Sequence, residues 1–117
     1  MKLHKMKLTK YFLEKIKSGS KIIETRLFDE KRQKIKLGDN IEFSQNKDAT
    51  NTVLTKIIGL YRYPSFAEMF ADLPIEYLGS ESAEELLKEM RQFYSPAKEE
   101  ELGVIGIKIK KISNTRF

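Results

Sequence analysis

Three side chains capable of polar chemistry fall within six residues: Lys21, Glu24 and Arg26. They lie in Lys21-Ile22-Ile23-Glu24-Thr25-Arg26-Leu27-Phe28, a stretch otherwise dominated by β-branched and apolar residues, which predicts a strand. Charges inside such a strand destabilise it unless they are paired or exposed. Alternation sends Ile23, Thr25 and Leu27 to one face, and Ile22, Glu24, Arg26 and Phe28 to the other. Glu24 and Arg26 are then neighbours, roughly 7 Å apart along the strand. Lys21 has the opposite parity and joins them only if the strand twists or bends where it begins. The chemistry open to such a trio is clear. Arg26 offers a planar fork to a phosphate or a base edge. Glu24 orients that fork, accepts a base amino group or activates water. Lys21 contacts phosphate or base, or shuttles a proton. The same residues equally fit a structural ion pair beside a solvated lysine. The lysine side chain is not expected in the core, so Lys21→Ala should leave the fold intact.

Other chemistries are excluded by composition. There is no cysteine, hence no disulfide, thiolate nucleophile or cysteine-ligated zinc. A single histidine, His4, leaves no clustered-His metal site and no Ser-His-Asp triad, so no metal and no cofactor are expected. His4 reads as an ordinary strand residue, and Asp39 as the shaper of a Gly38-Asp39 turn. Tyr61, Arg62 and Tyr63 interleave rings with a cation. Tyr61 either stacks on a base or divides the roles of core and surface with Tyr63. Tyr94 either closes a cleft or pins a helix end. Phe66, Phe70 and Phe93 are assigned to the core.

The elements that must position these groups follow from periodicity. Met1 to Leu8 is an imperfect strand pattern with a bulge expected near His4 and Lys5. Phe12, Leu13 and Ile16 mark a helix over Lys10 to Ser18, with Thr9 as N-cap and Gly19 past its end. After the motif strand, Asp29 to Lys36 reads as a loop or single helical turn, and its Lys31, Arg32, Lys34 and Lys36 as a solvated run or a phosphate attractant. Asn40 to Ser44 and Thr52 to Tyr63 are strands joined by a polar loop over Asn46 to Asn51, with Gly59 a bend or bulge. Ser65 caps a helix over Phe66 to Ala71. Ser82 starts another, with Leu86, Leu87, Met90 and Phe93 on its apolar face. Val104 to Ile112 is the last strand.

The chain has 117 residues, enough for one domain (1–117) with its own core. No apolar run approaches the roughly 20 residues of a membrane span. The first residues lack the apolar core of a signal peptide, and the expected location is the cytoplasm. The net charge of +5 is unevenly spread. Residues 1–63 hold 15 basic and 7 acidic side chains, whereas residues 64–102 hold 3 and 10. The basic part suits an anionic partner such as RNA. The helix with Glu81, Glu84, Glu85 and Glu89 reads as a solvated face that repels nucleic acid, or as the surface of a protein partner.

Gly19-Ser20-Lys21-Ile22-Ile23-Glu24-Thr25-Arg26 followed by Gly38-Asp39-Asn40-Ile41-Glu42-Phe43 resembles the ASCH domain family of the PUA-like superfamily. The pattern is G-x-K-x-x-E-x-R, then G-D-x-I-x-F. The resemblance implies an α+β, PUA-like small, mostly antiparallel β-barrel of about five strands with flanking helices. It implies a basic cleft that binds RNA or a nucleotide, with Lys21, Glu24, Arg26, Tyr61 and Tyr94 as the contacts. One branch of the family is similar to amidohydrolases acting on N4-acetylcytidine through a lysine, a threonine and a later glutamate. Lys21 matches the lysine, but Glu24 stands where that branch has threonine. Glu76, by element order, or Glu81 stands for the later glutamate. In a hydrolase, Lys21 and Glu24 would be the catalytic residues.

Overall fold

In the computed structural model, which describes residues 1–114, β1 (Leu3–Leu8) buries His4, Met6 and Leu8 and exposes Leu3, Lys5 and Lys7. The alternation is unbroken and its register with β3 (Asn40–Gln45) is continuous, so the expected bulge is absent. The pattern looked broken because His4 occupies an inward position as a polar residue. Its ring is satisfied there, with Nε2 2.9 Å from Asp39 Oδ2. Asp39 therefore does more than shape a turn. It also accepts the backbone N–H groups of Lys2 and Lys36, tying the start of β1 to the loop before β3.

α1 (Lys10–Ser18) buries Leu13 and Ile16 and ends at Gly19, whose φ of 89° suits glycine. Thr9 stands at the N-cap, but its hydroxyl makes no capping bond, contrary to expectation. The motif strand is β2 (Ile23–Leu27), and Asp29 caps a single helical turn, α2 (Glu30–Gln33). The loop expected over Asn46 to Asn51 shrinks to the turn Asn46-Lys47, with Lys47 at φ 68°. β4 (Asp48–Tyr63) begins immediately after it. Its first residues project beyond the core as an exposed ribbon, so polar composition disguised them as loop. Gly59 does mark a bulge, where the register with β5 (Val104–Asn114) slips between Ile57 and Gly59.

The strand order is β1-β3-β4-β5-β2, with β1 and β3 parallel and every other pair antiparallel. The sheet curls into a half-barrel whose two ends, β1 and β2, face each other across a seam. Side chains bridge that seam. Arg26 Nη2 donates to Lys7 O at 2.8 Å, and Lys31 Nζ to Lys5 O at 2.9 Å. The helical insert between β4 and β5 comprises α3 (Phe66–Asp72), a 3-10 turn (Ile75–Leu78), α4 (Ala83–Phe93) and α5 (Pro96–Leu102). It packs Phe66, Met69, Phe70, Leu78, Leu86 and Met90 over Ile23, Leu27 and Val104. A second cluster lies under α1, around Leu13, Ile16, Phe43 and Ile107. Phe12 touches both clusters. Buried Glu99 locks the insert by accepting from Phe66 N at 2.6 Å and from Arg91 Nη1 at 2.5 Å. No helix among the described residues is long and apolar enough to cross a membrane.

The hydrogen bond from His4, then the one from Lys2 N–H, holds the Asp39 carboxyl down to about 2 from 3.8. A depressed folded pKa contributes stability above the unfolded value that is lost as pH falls through the folded one. Asp39→Asn should thus be less stable than the parent at about pH 7. It should also lose less stability between about pH 4 and pH 2. Urea midpoints at the two ends of that range check both outcomes.

Candidate functional site

Lys21 precedes β2, immediately after the Gly19-Ser20 turn. Its N–H bonds back to Lys15 O of α1, and the next N–H, of Ile22, bonds to Tyr77 O of the 3-10 turn. This pinned start turns the side chain toward Glu24, which plain strand parity does not. Lys21 is 3% exposed and is not the solvated lysine of the sequence reading. Its stem packs against Gly79, where a Cβ would approach Lys21 Cδ to 2.9 Å at a φ of 86°. Removing this side chain leaves a hole and three unpaired acceptors, so the expectation that Lys21→Ala spares the fold is corrected.

All three ammonium donors of Lys21 are placed. They point to Ile23 O at 2.8 Å, Leu78 O at 2.9 Å and Glu24 Oε1 at 3.2 Å. The other Glu24 oxygen accepts from Arg26 Nε at 2.5 Å. The three residues thus form a row, cation, carboxylate, cation, with Glu24 only 4% exposed. Burial pushes Lys21 below its usual pKa, against the opposing pull of Glu24. Burial alone would raise Glu24, but the charges of Arg26 and Lys21 outweigh it and hold the carboxyl below the normal range. Burial opposes the charge of Arg26 as well, yet Glu24 and then Tyr94 keep its pKa raised. Burial raises the Tyr94 phenol.

This row lies along a cavity of about 120 Å³ between β2, α1 and α4. Phe12, Leu86, Met90 and Phe93 supply apolar lining, and Glu89 and Tyr94 polar groups. Pockets for drug-sized molecules run to roughly 300–1,000 Å³, so this one admits a single small group. Lys21, Glu24, Arg26 and Tyr94 are brought together as expected. The Tyr94 ring also stacks on Phe66 at 5.6 Å, so it closes the cavity and pins the helix end at once. Tyr61 is not brought in. Its ring crosses Gly59 on β4 and packs on the cluster under the insert. Glu76 and Glu81 are exposed and do not line the cavity.

Two cavity residues escaped the sequence reading. Phe93, assigned to the core, is 64% exposed at the end of α4 and lines the cavity. Glu89, assigned to a solvated face, is half-buried and lines it too. The signal was present: Leu86, Glu89, Met90 and Phe93 share one face at helical spacing. Among the described residues no group of three or more His, Cys, Asp or Glu is placed to hold a metal ion.

A five-stranded half-barrel with flanking helices, carrying this motif on an end strand, is an α+β domain of the PUA-like type. The chain belongs to the ASCH domain family, whose model matches residues 6–113. It is similar to the crystal structure of hypothetical protein PH0355, at 42% identity and a TM-score of 0.83, with 96% of this chain and all of that chain covered. It is also similar to the solution structure of PF0455 from Pyrococcus furiosus, at 38% identity and a TM-score of 0.75, covering 94% and 97%. An ASCH protein from Zymomonas mobilis shares the fold at 11% identity and a TM-score of 0.67, covering 99% of this chain and 74% of that one. No curated protein matches the chain significantly.

Removing one member of a buried ion pair strands the other and costs about 3–5 kcal/mol. Glu24→Gln should lose stability of that order, because Lys21 and Arg26 then face each other without a carboxylate. Adding Lys21→Met to Glu24→Gln should restore only part of it, because the repulsion between the two cations goes but Ile23 O and Leu78 O lose their donor. Denaturant unfolding of the parent and the single and double variants measures this.

Proposed function

We propose that this protein binds single-stranded RNA by taking the base of one nucleotide into the cavity between β2 and α4. The ASCH family is associated with RNA binding. The observation that carries the reading is the cavity itself: an aromatic mouth at Phe93 and Tyr94 leading to charged groups whose geometry is already fixed. Aromatic rings at a mouth accept any base by stacking. Inside, the lone pairs of Glu24 and Glu89 suit base amino groups, and the phenol of Tyr94 can donate or accept. The small volume suits one extruded base rather than a folded element. Arg26, already engaged by Glu24 and Lys7 O, serves mainly to hold that carboxylate in place.

The second reading is an amidohydrolase acting on a modified nucleoside such as N4-acetylcytidine. Lys21 and a helix-borne carboxylate, Glu89, do line the same cavity. Against this reading, Lys21 has every donor committed to Glu24 and two carbonyls, which leaves none for a developing oxyanion. Binding is therefore the reading the geometry favours.

Phe93 is exposed, so Phe93→Ala should leave the Tm unchanged. It should weaken binding of a single-stranded oligoribonucleotide by about 1–3 kcal/mol, the usual worth of one stacked base. Fluorescence anisotropy reads the affinity, and an unchanged affinity overturns the stacking site. Incubation with N4-acetylcytidine should release no acetate. Release that disappears in Glu89→Gln would establish the hydrolase instead.

A further inference from the structure

A second depression, of about 600 Å³, lies on the outer face of β1 and β3 beside α2. Lys5, Lys7, Arg26, Lys31 and Arg32 line it, with a single carboxylate, Glu42. Glu42 lies 4.0 Å from Lys5, and Arg32 pairs with Asp29 at 3.1 Å. With five basic side chains and one carboxylate in its lining, the groove stays net positive. Lys31 records this crowding: after burial, the charges of Arg32 and Arg26 are what lower its pKa. The Arg32 Nε is buried without a hydrogen-bond partner among the described residues, a donor in want of an acceptor. Arg26, Lys31 and Arg32 each spend one donor on the fold, at Lys7 O, Lys5 O and Asp29, and their remaining donors face the groove together with Lys5 and Lys7. The Lys5 and Lys7 side chains point outward from β1, away from both apolar clusters.

The groove and the cavity share a wall, since Arg26 and Lys7 line both. A nucleotide carries its base and its phosphate on opposite sides of one sugar. A small aromatic-mouthed cavity next to a cationic groove has the same division.

We propose that the groove of Lys5, Lys7, Lys31 and Arg32 binds the backbone phosphates flanking the nucleotide held in the cavity, so that the ligand is a phosphorylated strand rather than a free nucleoside. This rests on the base-binding reading above. Lys7 stands at the junction and meets the phosphate nearest the bound base. Lys31 and Lys5 meet the next along β1. The acidic face of α4 lies on the other side of the cavity and leaves the groove as the cationic exit for the strand.

The test uses the full chain and its Lys7→Gln/Lys31→Gln variant. Glutamine removes charge while keeping a donor near Lys5 O. Oligoribonucleotide affinity is measured against salt concentration. Each phosphate contact on a single strand contributes about 0.7 to the slope of log K against log salt, so the double variant should flatten it by about 1 to 1.5. Cytidine 5′-monophosphate should bind roughly tenfold or more tighter than cytidine, as one charge-assisted hydrogen bond supplies. Inorganic phosphate should shift the amide resonances of residues 5, 7, 31 and 32. If Phe93→Ala weakens binding while the slope is unchanged and phosphate shifts none of these amides, the groove proposal is overturned and the base cavity stands. If the slope flattens while Phe93→Ala has no effect, the base cavity fails and the phosphate groove stands. If only the mononucleotide senses Lys7 and Lys31, the ligand is a free nucleotide and the strand version is wrong.

Discussion

Taking a lysine ammonium out of water is unfavourable by several kcal/mol, and each of its three N–H groups then requires an acceptor. Around Lys21 this requirement organises the molecule. One acceptor, Leu78 O, belongs to the 3-10 turn, so the insert between β4 and β5 is drawn down onto the start of β2. A second, Ile23 O, fixes the bend that aims the side chain. The third is the Glu24 carboxylate, which must stay ionised in a buried place and does so because Arg26 flanks it. Arg26 in turn reaches Lys7 O on β1. A continuous line of charge thus runs from the insert across β2 to the far end of the sheet. Such a row is weak evidence for net stability, but its bonds tie the insert, β2 and β1 to one another.

That constraint explains why the cavity is preformed. Its polar groups have their rotamers fixed by bonds made for structural reasons, so a ligand meets them without reorganising them. The same economy limits the chemistry. Burial depresses the Lys21 pKa although its ammonium satisfies two carbonyls and a carboxylate, and a depressed pKa can look like that of a proton shuttle. Geometry separates the two roles, because a shuttle needs a direction in which to give its proton. Glu89 and Phe93 are not bound into the row, and they supply the adjustable part of the site.

Much of this was legible in the amino-acid sequence, and the failures have physical reasons. The strand alternation around Glu24 and Arg26, the helix ending at Gly19 and the bulge at Gly59 all follow from local rules and hold. The G-x-K-x-x-E-x-R pattern pointed to the family and to the row of charges. The burial of Lys21 was not legible, because Leu78 O and Gly79 come from more than fifty residues away. His4 disguised a regular strand as a bulged one, since its partner Asp39 lies across the sheet. Tyr61 sits in an aromatic-cationic run that suits stacking, yet strand pairing with Gly106 carries it to a different surface. Phe93 fits the apolar periodicity of α4 but lies beyond the reach of the core, which ends at Met90.

The side-chain bridges across the seam of the half-barrel have a second consequence. β1 is an end strand, and the carbonyls of Lys5 and Lys7 that face away from β3 would offer an incoming chain a ready template. Lys31 and Arg26 already occupy them. A foreign strand that tried to extend the sheet would have to displace two charged donors and then lie against a row of lysines. Occupying these two carbonyls with charged donors disfavours the pairing of a second chain at the β1 edge of the open half-barrel.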